Sequence, residues 1–277
     1  MFLFQVEVQK LFSSFRTYTS LGIAALLMLI IDLGLYNDGK DLFDFLLQSI
    51  QENFYIEGNI VNGYLISYLA LNTLWVHLPI LVVIVTAYIF SGEFEMGTIR
   101  TMLTQPIKRK ELLLAKIGAM LLFVLLFMLL SGFMALVPSV LFFGLGDVIV
   151  FIDGIQFIQE STYLLRYLKA LFFGTLGMFA FTCMAMYFAI YFRNTLTAVL
   201  LVLGLLIVST LLQTFVFGFF SHWQPFLFTY HMAKWQLFFV DEVPKSSINQ
   251  SILFLTLMAL FFIVLSFRKF QKMQITE

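Results

Sequence analysis

Cysteine is almost missing from this chain. Cys183 is the single example and lies inside an apolar run. One thiol cannot close an internal disulfide, so cysteine use says nothing about the redox compartment. Histidine is nearly as scarce, with three residues. Neither His-Glu-x-x-His nor Gly-x-Ser-x-Gly occurs, which removes the sequence support for a zinc or serine hydrolase. Gly-x-x-x-x-Gly-Lys-Ser/Thr is absent too, so the chain carries no phosphate loop for hydrolysing ATP. Only 12% of residues are charged, and they balance to zero. That balance points away from nucleic acid as a partner.

What the chain has is apolar length. Hydrophobic residues make up 61%, with 35 Phe among them, which reads as bulk lipid-facing surface. Several runs reach the ~18–20 residues that cross a bilayer as helix. The expected fold is an all-α polytopic membrane protein forming a single transmembrane domain. Its six spans are placed at about 17–36, 65–90, 112–143, 167–191, 195–216 and 248–267. Residues 1–16 predict an amphipathic interfacial helix, with Phe4, Val8, Leu11, Phe12 and Phe15 on one face and Glu7, Lys10 and Arg16 on the other. Pro79 predicts a kink in the second span. Gly132 and Pro138 interrupt the long third span. Residues 37–64 are expected as a connector with a helical stripe through Phe43, Leu46, Leu47, Ile50 and Phe54. Residues 147–166 form a second connector. Residues 217–249 are rich in aromatics and suit short helices lying at the interface.

Two ionisable residues fall within spans. Asp32 is near the outer end of the first and reads as reaching outer-leaflet water beside Asn37. A carboxylate in hydrocarbon would otherwise mark function. His77 stands two residues before Pro79 and reads as a hydrogen-bonded packing residue. His222 and His231 match no metal-ligand spacing, so no metal site is expected.

Orientation follows from charge. With the N-terminus inside, inner segments hold eleven basic residues and outer segments five, while acidic residues distribute five inside to ten outside. The positive-inside rule therefore predicts both termini in the cytoplasm.

One charged stretch separates the second and third spans: Ser91-Gly-Glu-Phe-Glu-Met-Gly-Thr-Ile-Arg100, running on through Leu103 and Pro106 to Arg109 and Lys110. Helical spacing aligns Met96, Ile99, Met102 and Leu103 as an apolar face suited to a partner's groove. Pro106 disfavours helix at Gln105 and suits the first position of the next helix.

Glu93, Glu95, Gly97, Thr98 and Arg100, followed by Pro106, Arg109 and Lys116, resemble the signature of type-2 ABC exporter permeases. The resemblance implies that residues 92–105 are a cytoplasmic coupling helix docking on a separate ATPase. The docking residues would be Glu93, Phe94, Glu95, Met96, Gly97, Thr98, Ile99, Arg100, Leu103, Pro106 and Arg109, with Gly97 permitting close approach. It further implies a permease subunit of the cytoplasmic (plasma) membrane of a bacterium, with no catalysis of its own. Two ATPase copies and a second permease, identical or homologous, would complete the complex, with membrane lipids around it. ATP and Mg would bind the partner, and no cofactor this chain. Cargo is not readable. Two other readings stay open: an ATP-independent secondary transporter or ion channel using Asp32 and His77, and a membrane enzyme using Glu93 and Glu95.

Overall fold

The computed structural model describes residues 2–51, 61–104, 107–152, 154–215 and 221–273. Ten α-helices run in chain order through these residues: α1 (Phe2–Ser13), α2 (Phe15–Gln51), α3 (Gly63–Leu74), α4 (Leu78–Glu95), α5 (Ile99–Thr104), α6 (Arg109–Phe143), α7 (Glu160–Phe192), α8 (Thr195–Phe215), α9 (Phe228–Ala233) and α10 (Lys245–Lys272). Six of them (α2, α4, α6, α7, α8 and α10) are long and apolar enough to cross a membrane. The protein is a helical, multi-pass membrane protein. α7 is the most buried of the six, and it packs against α4, α6, α8 and α10.

Lengths explain the crossings. At 1.5 Å per residue, α6 with its 35 residues measures about 52 Å and outruns a hydrocarbon core of ~30 Å. Pro138 stands inside α6 without ending it. The first span continues as helix to Gln51, so the connector begins as an extension of α2. The side chains of Phe43, Leu46, Leu47 and Ile50, and all of Phe54, lie outside the described residues.

The second span is not one helix. α3 ends at Leu74, residues 75–77 form a turn, and α4 starts at Leu78 with a proline in its first turn. Pro79 has no N–H to give the carbonyl of Trp75, so the ladder cannot continue through it. Short bonds fill in: Trp75 N to Asn72 O at 3.3 Å and His77 N to Leu74 O at 2.8 Å. The expected kink is a full break.

A β-hairpin joins α6 to α7, which an all-α expectation omits. β1 (Val148–Phe151) pairs antiparallel with β2 (Ile155–Ile158), in register Val148 to Ile158. The β-branched and aromatic run Val-Ile-Val-Phe, with Gly154 at φ 126 in the turn, is the local cause.

Helix α1, the end of α4, the starts of α6 and α8 and the end of α10 meet at one end of the bundle, here called the terminal end. The far end is tied by hydrogen bonds. Asn62 caps α3 by accepting from Leu65 N at 3.0 Å, and its amide donates to Asp147 O at 2.6 Å. Asp147 in turn accepts from Glu160 N at the start of α7 at 2.8 Å. Tyr163 donates to Tyr64 O at 2.7 Å. Arg166 donates to Phe238 O at 3.3 Å and Asp241 O at 3.2 Å. It thereby holds the end of Lys234–Phe239, which with Ser221–Phe226 makes two short helical turns flanking α9. These match the expected short helices between the last two spans.

Helix α3 packs closely on α6. A Cβ on Gly63 would stand 2.5 Å from Val140 Cα and 2.6 Å from Ser139 O. Gly34, in contrast, has nothing within 4 Å. Gly63→Ala is expected to cost about 1–3 kcal/mol or more through overpacking against backbone. Gly34→Ala should gain up to about 1 kcal/mol of helix propensity. Thermal unfolding in detergent measures both, and equal behaviour of the two variants would refute the packing argument.

Candidate functional site: a buried ionic joint at the terminal end

Four charges close the terminal end. Lys10 Nζ lies 2.7 Å from Glu7 Oε1 and 2.8 Å from Glu93 Oε1. Lys116 Nζ lies 3.0 Å from Glu7 Oε2 and 3.0 Å from Glu93 Oε1, and donates to Ile89 O at 2.8 Å. Glu7 comes from α1, Glu93 from α4 and Lys116 from α6, so the quartet pins three helices at one point. It is neutral as a whole, which is how charges can be held out of water. Glu7, Glu93 and Lys116 are 4%, 7% and 2% exposed, whereas Lys10 is about half exposed at its side chain. Burial works against the Lys10 charge, but its hydrogen bonds to Glu7 and Glu93 outweigh it and hold its pKa above the ordinary lysine value.

Helix α1 therefore sits differently from the expectation. Glu7 and Leu11, one turn apart, are its buried residues, and Glu7 leaves the polar face to meet Lys116. The signal is Glu7 and Lys10 at i, i+3 spacing as the two charges of α1, with Leu11 following Glu7 by four. Beside the quartet opens a cavity of about 630 Å³ between α1, the start of α2 and α4. The Arg16 guanidinium covers the Tyr88 ring on its wall at 3.7 Å. Glu93 Oε2 has no hydrogen-bond partner among the described residues.

The expected docking residues fall into separate roles. Glu93 and Glu95 belong to the end of α4, and the short helix itself spans Ile99–Thr104 instead of 92–105. Glu93 is turned inward, so it is a joint residue and presents no surface. Phe94 is half-buried, with the Arg193 guanidinium 5.9 Å above its ring. Glu95 accepts from Thr195 N. A carboxylate there complements the positive N-terminal end of α8. Met96 is 59% exposed. Gly97 adopts φ 69 and a Cβ would meet nothing within 4 Å. It makes the left-handed turn that ends α4, with Gly97 N on Phe94 O at 3.2 Å. Thr98 is exposed, and its hydroxyl reaches Glu93 O at 3.5 Å. Ile99 is 4% exposed and joins the chain's own core, so it does not share an outward face with Met96. The side chains of Arg100, Met102 and Leu103, and all of Pro106, lie outside the described residues. α6 begins at Arg109, later than Pro106 predicts. Arg109 donates to Phe270 O, Gln271 O and Met273 O at 3.4, 3.0 and 2.8 Å, closing the end of α10.

The two intramembrane candidates do not meet. Asp32 is fully buried, against the expectation of outer-leaflet water. Its Oδ1 accepts from Ser139 at 2.7 Å, and Oδ2 has no partner among the described residues. His77 is exposed in the turn before α4, without a side-chain cap bond. His231 uses both ring nitrogens, on Ser251 Oγ at 2.9 Å and Pro225 O at 2.7 Å. Burial holds its pKa below the ordinary histidine value, helped by Lys234 and opposed by the Pro225 bond. The side chain of His222 lies outside the described residues. Among the described residues no three metal-ligating groups cluster.

The α3–α4 break lines a second cavity, of about 260 Å³, against α8 and α9. Its polar lining is Asn72, Thr210, Gln213, Thr214, Thr229 and Gln236, with no charged residue. This chamber was not anticipated. Its signal is Asn72 within an apolar run.

A family described as "Protein of unknown function (DUF2705)" matches residues 10–276. The chain belongs to this family. The family match includes Lys10, Glu93 and Lys116 of the joint. A curated relative, "Uncharacterized protein YhcI" of Bacillus subtilis (strain 168), is 28% identical over 210 residues. The aligned part covers 70% of this chain and 64% of that relative, just short of two thirds of the relative's length.

Removing one partner from a buried ion cluster strands the others. Lys116→Met is expected to destabilise the protein by about 3–5 kcal/mol. Lys108→Met, at an exposed pair with Glu111, should change it by less than about 1 kcal/mol. Detergent melting curves read both, and a Lys116→Met protein as stable as the parent would show that the quartet does not hold the joint.

Proposed function

We propose that this protein is the permease subunit of an ATP-driven ABC exporter, working with a separate ATPase. The observation that supports this best is the short helix α5, set at the terminal end directly after the ionic joint. A force applied to α5 reaches α4 through the turn at Gly97, α1 and α6 through the Glu7–Lys10–Glu93–Lys116 quartet, and α8 through Glu95 on Thr195. A rigid lever of that kind suits a protein whose work is mechanical. The positive-inside count puts this end in the cytoplasm, where ATP is.

The chamber beside the α3–α4 break fits the same reading. Non-helical backbone is tolerated at membrane depth only where protein buries it or where it lines a water-filled cavity. Asn72, Thr73 and His77 are exposed on this chain, and their polarity suits a water-lined path enclosed with a second permease copy. The docking surface is reassigned accordingly: Met96, Thr98, Thr101 and Thr104 are its exposed residues, with Arg100 and Leu103 kept from the resemblance.

Asp32 favours one second reading, an ATP-independent, ion-coupled transporter, because a fully buried carboxylate with one unpartnered oxygen is costly to keep. His77 does not support it, standing apart in the turn.

Two measurements separate these readings. Mass spectrometry of the protein purified in mild detergent should find a stoichiometric P-loop ATPase, lost in Met96→Asp/Thr101→Asp while the permease stays monodisperse. Glu93 is unsuitable for this test because its loss breaks the joint. Retention of the ATPase by the double variant would remove α5 from the docking surface. In proteoliposomes free of ATPase, ion flux abolished by Asp32→Asn would instead establish the second reading; on the first, such vesicles are silent.

A further inference from the structure

The α7–α8 corner and the last turns of α10 border an open cavity of about 560 Å³ at the terminal end. Arg193, Arg268, Lys269 and Lys272 line it, together with Tyr187. Among the described residues, no carboxylate lies within ion-pair distance of Arg268, Lys269 or Lys272. Basic residues at a helix C-terminus ordinarily offset its carbonyl charge. In α10 that task falls to Arg109, which bonds three of the last carbonyls from outside the cavity. The two helix ends bring about half a negative charge each. The cavity lining holds Arg268, Lys269 and Lys272 and no carboxylate, so it is positive on balance.

The rim says what kind of anion fits. Lys269 Nζ stands 4.2 Å from the Tyr191 ring centre. Tyr191 and Phe192 are 48% and 39% exposed. An exposed tyrosine ring such as Tyr191 beside cations at the end of a spanning helix marks the membrane–water boundary. Basic pockets between spanning helices at that depth take lipid phosphate groups. The volume lies in the range of small-ligand pockets.

We propose that this cavity binds the headgroup of an anionic phospholipid. Arg268, Lys269 and Lys272 donate to the phosphate oxygens, and the Tyr187 and Tyr191 rings lie against the glycerol and the upper acyl chain. The site is independent of the transport reading.

The test uses the full-length protein in nanodiscs of phosphatidylcholine with added phosphatidylglycerol, then native mass spectrometry of retained lipid. The parent should retain phosphatidylglycerol in preference to phosphatidylcholine. Lys269→Gln/Lys272→Gln should lower that retention about tenfold or more. Lys108→Gln/Lys110→Gln, which removes the same charge from the same end outside the cavity, should leave it unchanged. Lys269→Gln alone should give an intermediate loss, and it serves as the test if the double variant aggregates. Equal retention by the two double variants, equal retention of both lipids, or unchanged retention by Lys269→Gln would overturn the site. Displacement of the lipid by millimolar inorganic phosphate would overturn the lipid headgroup in favour of a free anion.

Discussion

The four-charge joint is the constraint on which the terminal end depends. Buried ion pairs contribute little net stability, because desolvation offsets most of the attraction. What they impose is a single arrangement. Glu7, Glu93 and Lys116 each have partners on another helix, and a one-turn slip of α1, α4 or α6 would leave a charge without its counterpart. The seat of α1 and the exit direction of α4 are thus set together. The left-handed turn at Gly97 then sends α5 out from a fixed point. Glu95 extends the constraint to α8 without adding another buried charge.

The far end is held by different chemistry. There, single hydrogen bonds from backbone and side chains join α3, the α6–α7 connection and α7 through Asn62, Asp147 and Tyr163. Between the two clamps lies the α3–α4 break. A crossing fixed at both ends and interrupted part-way can bend at the interruption while its ends stay in place. The polar chamber sits at that spot, which links the helix break to the most suggestive cavity in the membrane-spanning part.

Apolar run length was enough to read the six crossings from sequence, because hydrocarbon leaves helix as the open solution for such runs. The short Arg193–Asn194 corner and the short helices after α8 were legible for similar reasons. Other features depended on long-range pairing. Nothing local in Glu7 shows that its partner is Lys116, so α1 read as a simple amphipathic helix with Glu7 facing water. Glu93 looked like a surface residue because its neighbours are charged, yet its own position on α4 faces inward. Asp32 was assigned to water on its distance from Asn37 along the chain; α2 continues as helix past that point, and its face toward Ser139 decides the burial. The hairpin at 148–158 carried a local signal, a β-branched run ahead of a glycine, that competed with the expectation of an irregular connector.

The joint also sets an order of assembly. Glu7 is separated from Lys116 by 109 positions, and a ribosome adding about 5–20 residues per second needs roughly 5–20 s to cover that distance. During that interval the first helix has its Glu7–Lys10 pair but not their partners on α4 and α6. It must wait in the aqueous boundary, with Glu7 hydrated, while three further segments emerge and insert. Seating of α1 is therefore a late event in biogenesis, completed only once α6 brings Lys116 to the terminal end, and the N-terminus of the chain is among the last parts of this region to find its place.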